Sequence, residues 1–282
     1  MATGRIVLKN ERDIAGLREA ASVVERVLAE VASRIEPGVQ TIALDRAAEE
    51  IIREAGGRPA FKGYQMSPDD DPFPGSLCIS ANDIVVHGIP SARELVEGDI
   101  VSVDCGVELG GYFGDFAYTF PVGEISEENA RLLAVTKQSL YDGIAKAYAG
   151  ARLGDIGHAV QSLCEGHGYG VVRDLVGHGI GQNLHEPPNV SNTGRRGLGK
   201  KLKAGLTICI EPMINRGTGD VTVDADGWTI RTADGLPSAH YEHMVCVRQG
   251  RAEVLSSYDR IEAALATQRG EPAPVPREPA LS

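Results

Sequence analysis

A chain of 282 residues that is 42% apolar and 24% charged has enough length for a large core and the balance of a globular protein, not a fibrous or disordered one. Its net charge of −11 argues against a general binder of nucleic acid or anionic membrane. No run approaches the roughly 20 apolar residues of a membrane span, and the opening MATGRIVLKNERD lacks the apolar centre of a signal peptide.

Residues 11–34 repeat apolar side chains at helical spacing: Ile14, Leu17, Ala21, Val24, Leu28, Val31 and then Ile35. Pro37-Gly38 ends that helix. A second helix is expected from about residue 42 to 55, stopped by Gly56-Gly57. KGYQMSPDDDPFPG (62–75) reads as a Pro/Asp-rich loop, followed by short strands at 77–81 and 84–87. IVSVDCGV (100–107) and YFGDFAYT (112–119) then read as a hairpin turning through ELGG. A two-residue loop centred on Leu109-Gly110 sets Asp104 directly opposite Asp115, on one side of the ribbon. Like charges about 5 Å apart repel, and burial sharpens the repulsion. A shared proton or a cation must compensate.

The pattern then restarts. Helices are expected at 127–149 and 155–167, with strands at 171–175, 206–211, 221–224, 228–232 and 239–248. An offset of 112 residues brings Gly38 onto Gly150, Leu44 onto Ile156, Ile51 onto Leu163 and Gly56 onto Gly168. This suggests an α+β domain of two pseudo-symmetric helix–helix–strand halves, over residues 11–262, after a short lead at 1–10. ATQRGEPAPVPREPALS at the end has little apolar bulk, so 263–282 is expected to be a disordered Pro/Ala-rich tail. The five cysteines (78, 105, 164, 209, 246) are odd in number and contain no CxxC pair. They fit buried, inert thiols in a reducing cytoplasm better than a disulfide framework or a zinc finger.

Later segments add candidate ligands. GHGIGQNLHEPP (177–188) places His178 in a Gly-rich turn and His185 seven residues on. TICIEPM (207–213) ends an apolar strand with Glu211, and SAHYEHMVCV (238–247) plants Glu242 inside another. Each alone has an ordinary reading as a loop or solvated residue. Together, Asp104, Asp115, Glu211 and Glu242 with one imidazole form a set whose charges could not all stay ionised in one pocket without cations. Two divalent ions would neutralise it, and oxygen donors with one His suit Mn, Fe, Co or Zn. A carboxylate-bridged pair about 3.5–4 Å apart suits hydrolysis.

These residues, in this order, resemble the five ligands of the pita-bread metallopeptidases, and most closely the type I methionine aminopeptidases. The resemblance covers roughly residues 6–255. It implies that Asp104 chelates one ion, that Asp115 and Glu242 bridge both, and that His178 and Glu211 complete the second ion's shell. It implies that His87 in VVHGIP and His185 hold the substrate and stabilise developing charge, with Glu211 shuttling a proton to the leaving amine. It also implies a methionine pocket from Cys78, Tyr64, Phe73, Leu184 and Trp228. Phe73 stands where a tyrosine is usual and Leu184 where a Phe is frequent, and QMSPDDDP (65–72) lengthens the intervening loop.

The expected substrates are peptides and nascent chains at the ribosome that begin with Met and continue with a small residue. Met1-Ala2 of this chain is such a start. A cytoplasmic monomer with no nucleic-acid motif and no membrane attachment is expected. Prolidases and proline-specific aminopeptidases usually carry a sizeable N-terminal domain, for which a helix beginning by residue 11 leaves no room. Type II methionine enzymes carry a long insertion where only 33 residues separate His178 from Glu211. No N-terminal zinc-binding extension is present. A metal-free relative that binds peptides without cleaving them typically loses ligands, whereas all five are retained here.

Overall fold

The computed structural model describes residues 4–272 apart from residues 66 and 69. The chain opens with helices α1 (Glu11–Arg34) and α2 (Thr41–Glu54). Strands β1 (Arg58–Pro59), β2 (Leu77–Ala81), β3 (Ile84–Val86), β4 (Ile100–Leu109) and β5 (Tyr112–Pro121) follow. A second helix pair, α3 (Glu127–Ile144) and α4 (Leu153–Gly166), leads into β6 (Gly170–Val171), β7 (Gly177–Gly179), β8 (Glu186–Val190), β9 (Thr207–Ile210) and β10 (Met213–Asn215). Then come β11 (Val221–Val223), β12 (Ile230–Thr232), β13 (Ser238–His240), β14 (His243–Val247), β15 (Ala252–Val254) and α5 (Asp259–Gln268). The 112-residue offset carries α2, Thr41–Glu54, onto α4, Leu153–Gly166.

The strand pairings are antiparallel. β4 lies between β2 and β5, with β1 on its outer end; β15, β14, β9, β7 and β8 form a second sheet in that order. Two small three-stranded sheets, β13-β10-β6 and β11-β12-β3, complete the set. Among the described residues no helix is long and apolar enough to cross a membrane.

The N-terminal helix forms where its sequence asks for it. Asn10 accepts from the Arg12 and Asp13 N–H groups at 2.9 and 3.1 Å, and Asp13 accepts from the Asn10 N–H at 2.9 Å. That reciprocal cap satisfies donors the helix cannot pair itself. Its apolar stripe, Ile14 to Val31, is buried against the β4–β5 hairpin. Contact is closest at Gly114 of β5, where an added Cβ would lie 2.5 Å from the Ala20 carbonyl carbon and the Ala21 nitrogen. Gly114→Ala is therefore expected to force helix and hairpin apart and to cost roughly 1–3 kcal/mol or more, read as a lowered urea midpoint. Because Asp115 is the next residue, peptidase activity should fall with it.

Several expectations need correction. The hairpin turns through Gly110-Gly111, both at positive φ (59° and 84°), so Leu109 pairs with Tyr112. Asp104 consequently opposes Ala117, and Asp115 opposes Gly106. The two acids are diagonal neighbours and not a directly facing pair. They keep a common face because the register moved by an even step, and an odd one would have separated them. The third helix ends at Ile144, and in place of the strand expected at 171–175 there is only the two-residue β6, Gly170–Val171. The strand expected at 239–248 is broken at Tyr241-Glu242, so Glu242 sits in a strand interruption. His178 lies on β7 and not in a turn. Residues 263–268 of the expected tail belong to α5, which buries Ile261, Leu265 and Ala266 and whose Gln268 donates to the Ile35 carbonyl at 2.9 Å. The rest of that tail from 273 onward lies outside the described residues.

Candidate active site

Asp104 comes from the middle of β4, Asp115 from β5, Glu211 from the residue after β9, and Glu242 from the break between β13 and β14. His178 reaches them from β7, flanked by two glycines the packing requires. A Cβ on Gly177 would lie 2.4 Å from the Cys209 carbonyl oxygen, and one on Gly179 would lie 2.5 Å from that of Pro187. The bare backbone lets β7 slide between β8 and β9 and carries the imidazole inward.

The polar atoms that converge here are all acceptors. His178 Nδ1 lies 3.0 Å from the Gly179 carbonyl oxygen and donates to it. Burial, helped by the neighbouring His185, pushes this histidine down to about 3, so it is neutral. Its Nε2 then carries a lone pair, 3.6 Å from Asp115 Oδ2 and 3.5 Å from Glu211 Oε1. Asp104 Oδ1, Asp115 Oδ1 and Glu242 Oε1 are cut off from solvent with no hydrogen-bond partner. Buried polar atoms without partners are rare and costly. Acceptors facing acceptors are what a cation site looks like with its donor set in place, so these residues fit a divalent metal centre.

The carboxylates feel one another. Burial raises Asp104 to about 7. It also raises Asp115, with Glu242 and Asp104 adding repulsion, and Glu211, with Asp104 and Asp115 adding more. Glu242 is raised by burial and then by Glu211 and Asp104. Cys209 Sγ belongs to the tight group with Asp115, His178 and Glu242, whose ligand atoms lie within 4.8 Å of one another. Burial and then Glu242 hold this thiol well above its ordinary value, so without metal it is a neutral wall beside the acids. All five cysteines are buried and free.

The acids form one end of a cavity of about 510 Å³. His87 and His185 line it, each pushed down to about 4, chiefly by burial. His87 holds a left-handed backbone (φ 58°), a costly conformation for a residue with a Cβ and one that gathers at functional sites. Its ring meets Trp228 edge-on at 6.1 Å. His185 Nδ1 lies 2.8 Å from the Tyr64 hydroxyl, and its ring stands 4.4 Å from that of His178. The opposite end is apolar: Phe61, Phe73, Cys78, Leu184 and Trp228 pack together, with Tyr64 at their edge. Phe73 meets Trp228 edge-on at 5.3 Å, and the indole N–H donates to the Asp71 carbonyl at 2.9 Å.

The model of metallopeptidase family M24 matches residues 15–249. The chain belongs to family M24. Among curated M24 relatives, a methionine aminopeptidase of Clostridium perfringens is 48% identical over 251 residues, covering 89% of this chain and 98% of the relative. Methionine aminopeptidase 1 of Bacillus subtilis is 43% identical over 251 residues, with 89% and 99% covered. The solved methionine aminopeptidase of Thermotoga maritima superposes with a TM-score of 0.86 at 39% identity, covering 90% of this chain and all of that one. The prolidase of Pyrococcus furiosus shares the fold at 21% identity, with a TM-score of 0.69 and 89% and 65% covered. The two-half α+β arrangement is thus the pita-bread fold of M24 peptidases.

All the sequence-predicted site residues of this M24 chain line the one cavity. Two further residues went unremarked in the sequence. His240 has an unpartnered Nε2 3.8 Å from Glu211 Oε2. The signal was present: it stands two residues before Glu242 in a strand-like run, so alternation puts both on one face. Phe61 forms the pocket wall because Gly106 leaves room for it; a Cβ there would lie 2.5 Å from the Phe61 ring. No local pattern announces that contact across strands.

Proposed function

We propose that this M24 peptidase removes the N-terminal methionine of peptides and nascent chains whose second residue is small. Asp104, Asp115, His178, Glu211 and Glu242 hold two divalent ions in this reading. The observation that carries it is the convergence of His178 Nε2, facing Asp115 Oδ2 and Glu211 Oε1, with three buried carboxylate oxygens, Asp104 Oδ1, Asp115 Oδ1 and Glu242 Oε1, that have no hydrogen-bond partner. The relatives' shared name, methionine aminopeptidase, supports the substrate.

The ions supply, when bound, Lewis acidity and a water acidified toward neutrality. The chain's own residues do the rest. The cluster of Phe61, Phe73, Cys78, Leu184 and Trp228 takes the thioether side chain, for which sulfur–aromatic contacts are favourable. The Tyr64 hydroxyl donates to His185 Nδ1 and so fixes the proton on Nε2, which is offered to the peptide carbonyl oxygen as negative charge develops there. His87, neutral for the same reason of burial, holds the peptide beside the scissile bond. Glu211 carries the proton to the leaving amine. The five buried reduced thiols and the absence of a membrane-length helix among the described residues support a cytoplasmic setting.

The test is direct. With added Mn²⁺ or Co²⁺ the enzyme should release methionine from Met-Ala-Ser and leave an Ala-Pro-led peptide intact. Asp104→Ala should be slower by on the order of 10³-fold. Equal rates for wild type and variant would make the chain a binding module, and preference for the proline peptide would make it a prolidase-like enzyme.

A further inference from the structure

Glu242 is held from behind by a residue outside the cavity. Tyr258, at the N-cap of α5, is buried, and its hydroxyl lies against the backbone where β13 breaks before β14. The hydroxyl accepts from the Glu242 N–H at 3.0 Å. Its own proton faces two carbonyls, that of Ala117 at 2.8 Å and that of Glu242 at 2.7 Å. The Glu242 N–H also reaches the Ala117 carbonyl at 3.1 Å. One phenol therefore spans both strands that bring bridging carboxylates, since Ala117 lies two residues from Asp115 and on the same face.

The ring is fixed in turn. His243 stacks on it with centroids 3.9 Å apart and planes at 27°, and Lys137 Nζ sits 5.4 Å above its centre. Ser256 Oγ lies 2.7 Å from His243 Nδ1 and accepts from the Met244 N–H at 3.0 Å. A strand interruption frees backbone groups and would ordinarily let the chain wander. Here both backbone groups of Glu242 are met by one rigid, buried partner, the Tyr258 hydroxyl.

We propose that Tyr258 is a positioning residue for the metal centre: its hydroxyl sets the spacing between the Glu242 and Asp115 carboxylates, and so governs how tightly the ions are held. This rests on the reading of Glu242 and Asp115 as ligands. Groups that orient ligands from behind characteristically set affinity without touching the ion.

Co²⁺ titration of the metal-free protein, followed by visible absorption, tests the idea apart from catalysis. Tyr258→Phe keeps the ring and its stacking and is expected to bind Co²⁺ about 10–100-fold more weakly, with spectrum and turnover restored by excess metal. Tyr241→Phe is the matched control: although Tyr241 precedes Glu242, its buried hydroxyl donates to the Thr119 carbonyl at 3.1 Å and touches neither backbone group of Glu242, so it loses a bond of the same kind while leaving the Tyr258 tether intact. It should show a similar drop in melting temperature and unchanged Co²⁺ affinity. Ser256→Ala, which releases the ring stacked on Tyr258, should weaken binding less than Tyr258→Phe does. Equal affinities in wild type, Tyr258→Phe and Ser256→Ala overturn the proposal, as does an equal loss in Tyr241→Phe. Failure of the wild type to bind Co²⁺ overturns the ligand reading beneath it.

Discussion

Asp115→Asn is expected to lower peptidase turnover by on the order of 10³-fold while leaving the metal-free protein folded and no less stable. The side chain is nearly isosteric, so packing on β5 is kept. What changes is charge, together with one acceptor that becomes a donor. Asp115 is 3% exposed and faces Glu242 and Asp104, which repel it. Burial and that repulsion make the metal-free fold hold Asp115 with its proton, whereas Asn is neutral without taking one up, so the melting temperature without metal should hold or rise. Activity and stability moving in opposite directions is the signature of a ligand. A parallel loss of both would mean that Asp115 serves the fold alone. Kinetics on Met-Ala-Ser at saturating metal and thermal unfolding after chelation distinguish the two.

The second large effect is a pH dependence that metal should erase. Asp104 rises from an ordinary 3.8 to about 7 because it is buried, and Asp115, Glu211 and Glu242 are raised as well. Between those limits the folded metal-free protein retains protons that the unfolded chain releases. The unfolded state then binds fewer protons, so stability falls as pH rises through the window. The metal-free melting temperature should therefore decline from pH 5 to pH 8. A divalent ion binds the ionised carboxylates and should raise it most at the alkaline end. At a hundredfold excess over Kd the gain is about 2.7 kcal/mol, or roughly 5–10 °C for a chain of this size. A flat metal-free profile would contradict the burial of these acids as a cluster.

Much of this was legible before any coordinates, for identifiable reasons. The helices α1, α2 and α4 carry apolar stripes several turns long, and long periodic segments outweigh local ambiguity. The four clustered acids stood out because charged residues do not sit unpaired in apolar strands. The hairpin register was misjudged because either Leu109-Gly110 or Gly110-Gly111 can make a two-residue loop. The requirement for positive φ at both central positions selects the second. β7 and β8 were hidden by their glycines and prolines, whose purpose is a close approach to strands remote in sequence. Phe61 and Tyr258 act through contacts that span the chain, and no local period encodes them. Residues 263–268 of α5 were assigned to the tail because only Ile261, Leu265 and Ala266 of its ten residues are buried.

The proposed ligand acids are drawn from both halves, from Asp104 on β4 to Glu242 beyond β13, and α5, which lies against α1, follows them. On the proposed ligand set, a product of interrupted translation that stops before Glu242 holds at most three of the four acids, Asp104, Asp115 and Glu211, and cannot be completed by anything it contains. Abortive synthesis therefore releases no stray protease. The same arrangement ties activity to the packing of both halves, so a molecule able to cut is one in which each half is folded.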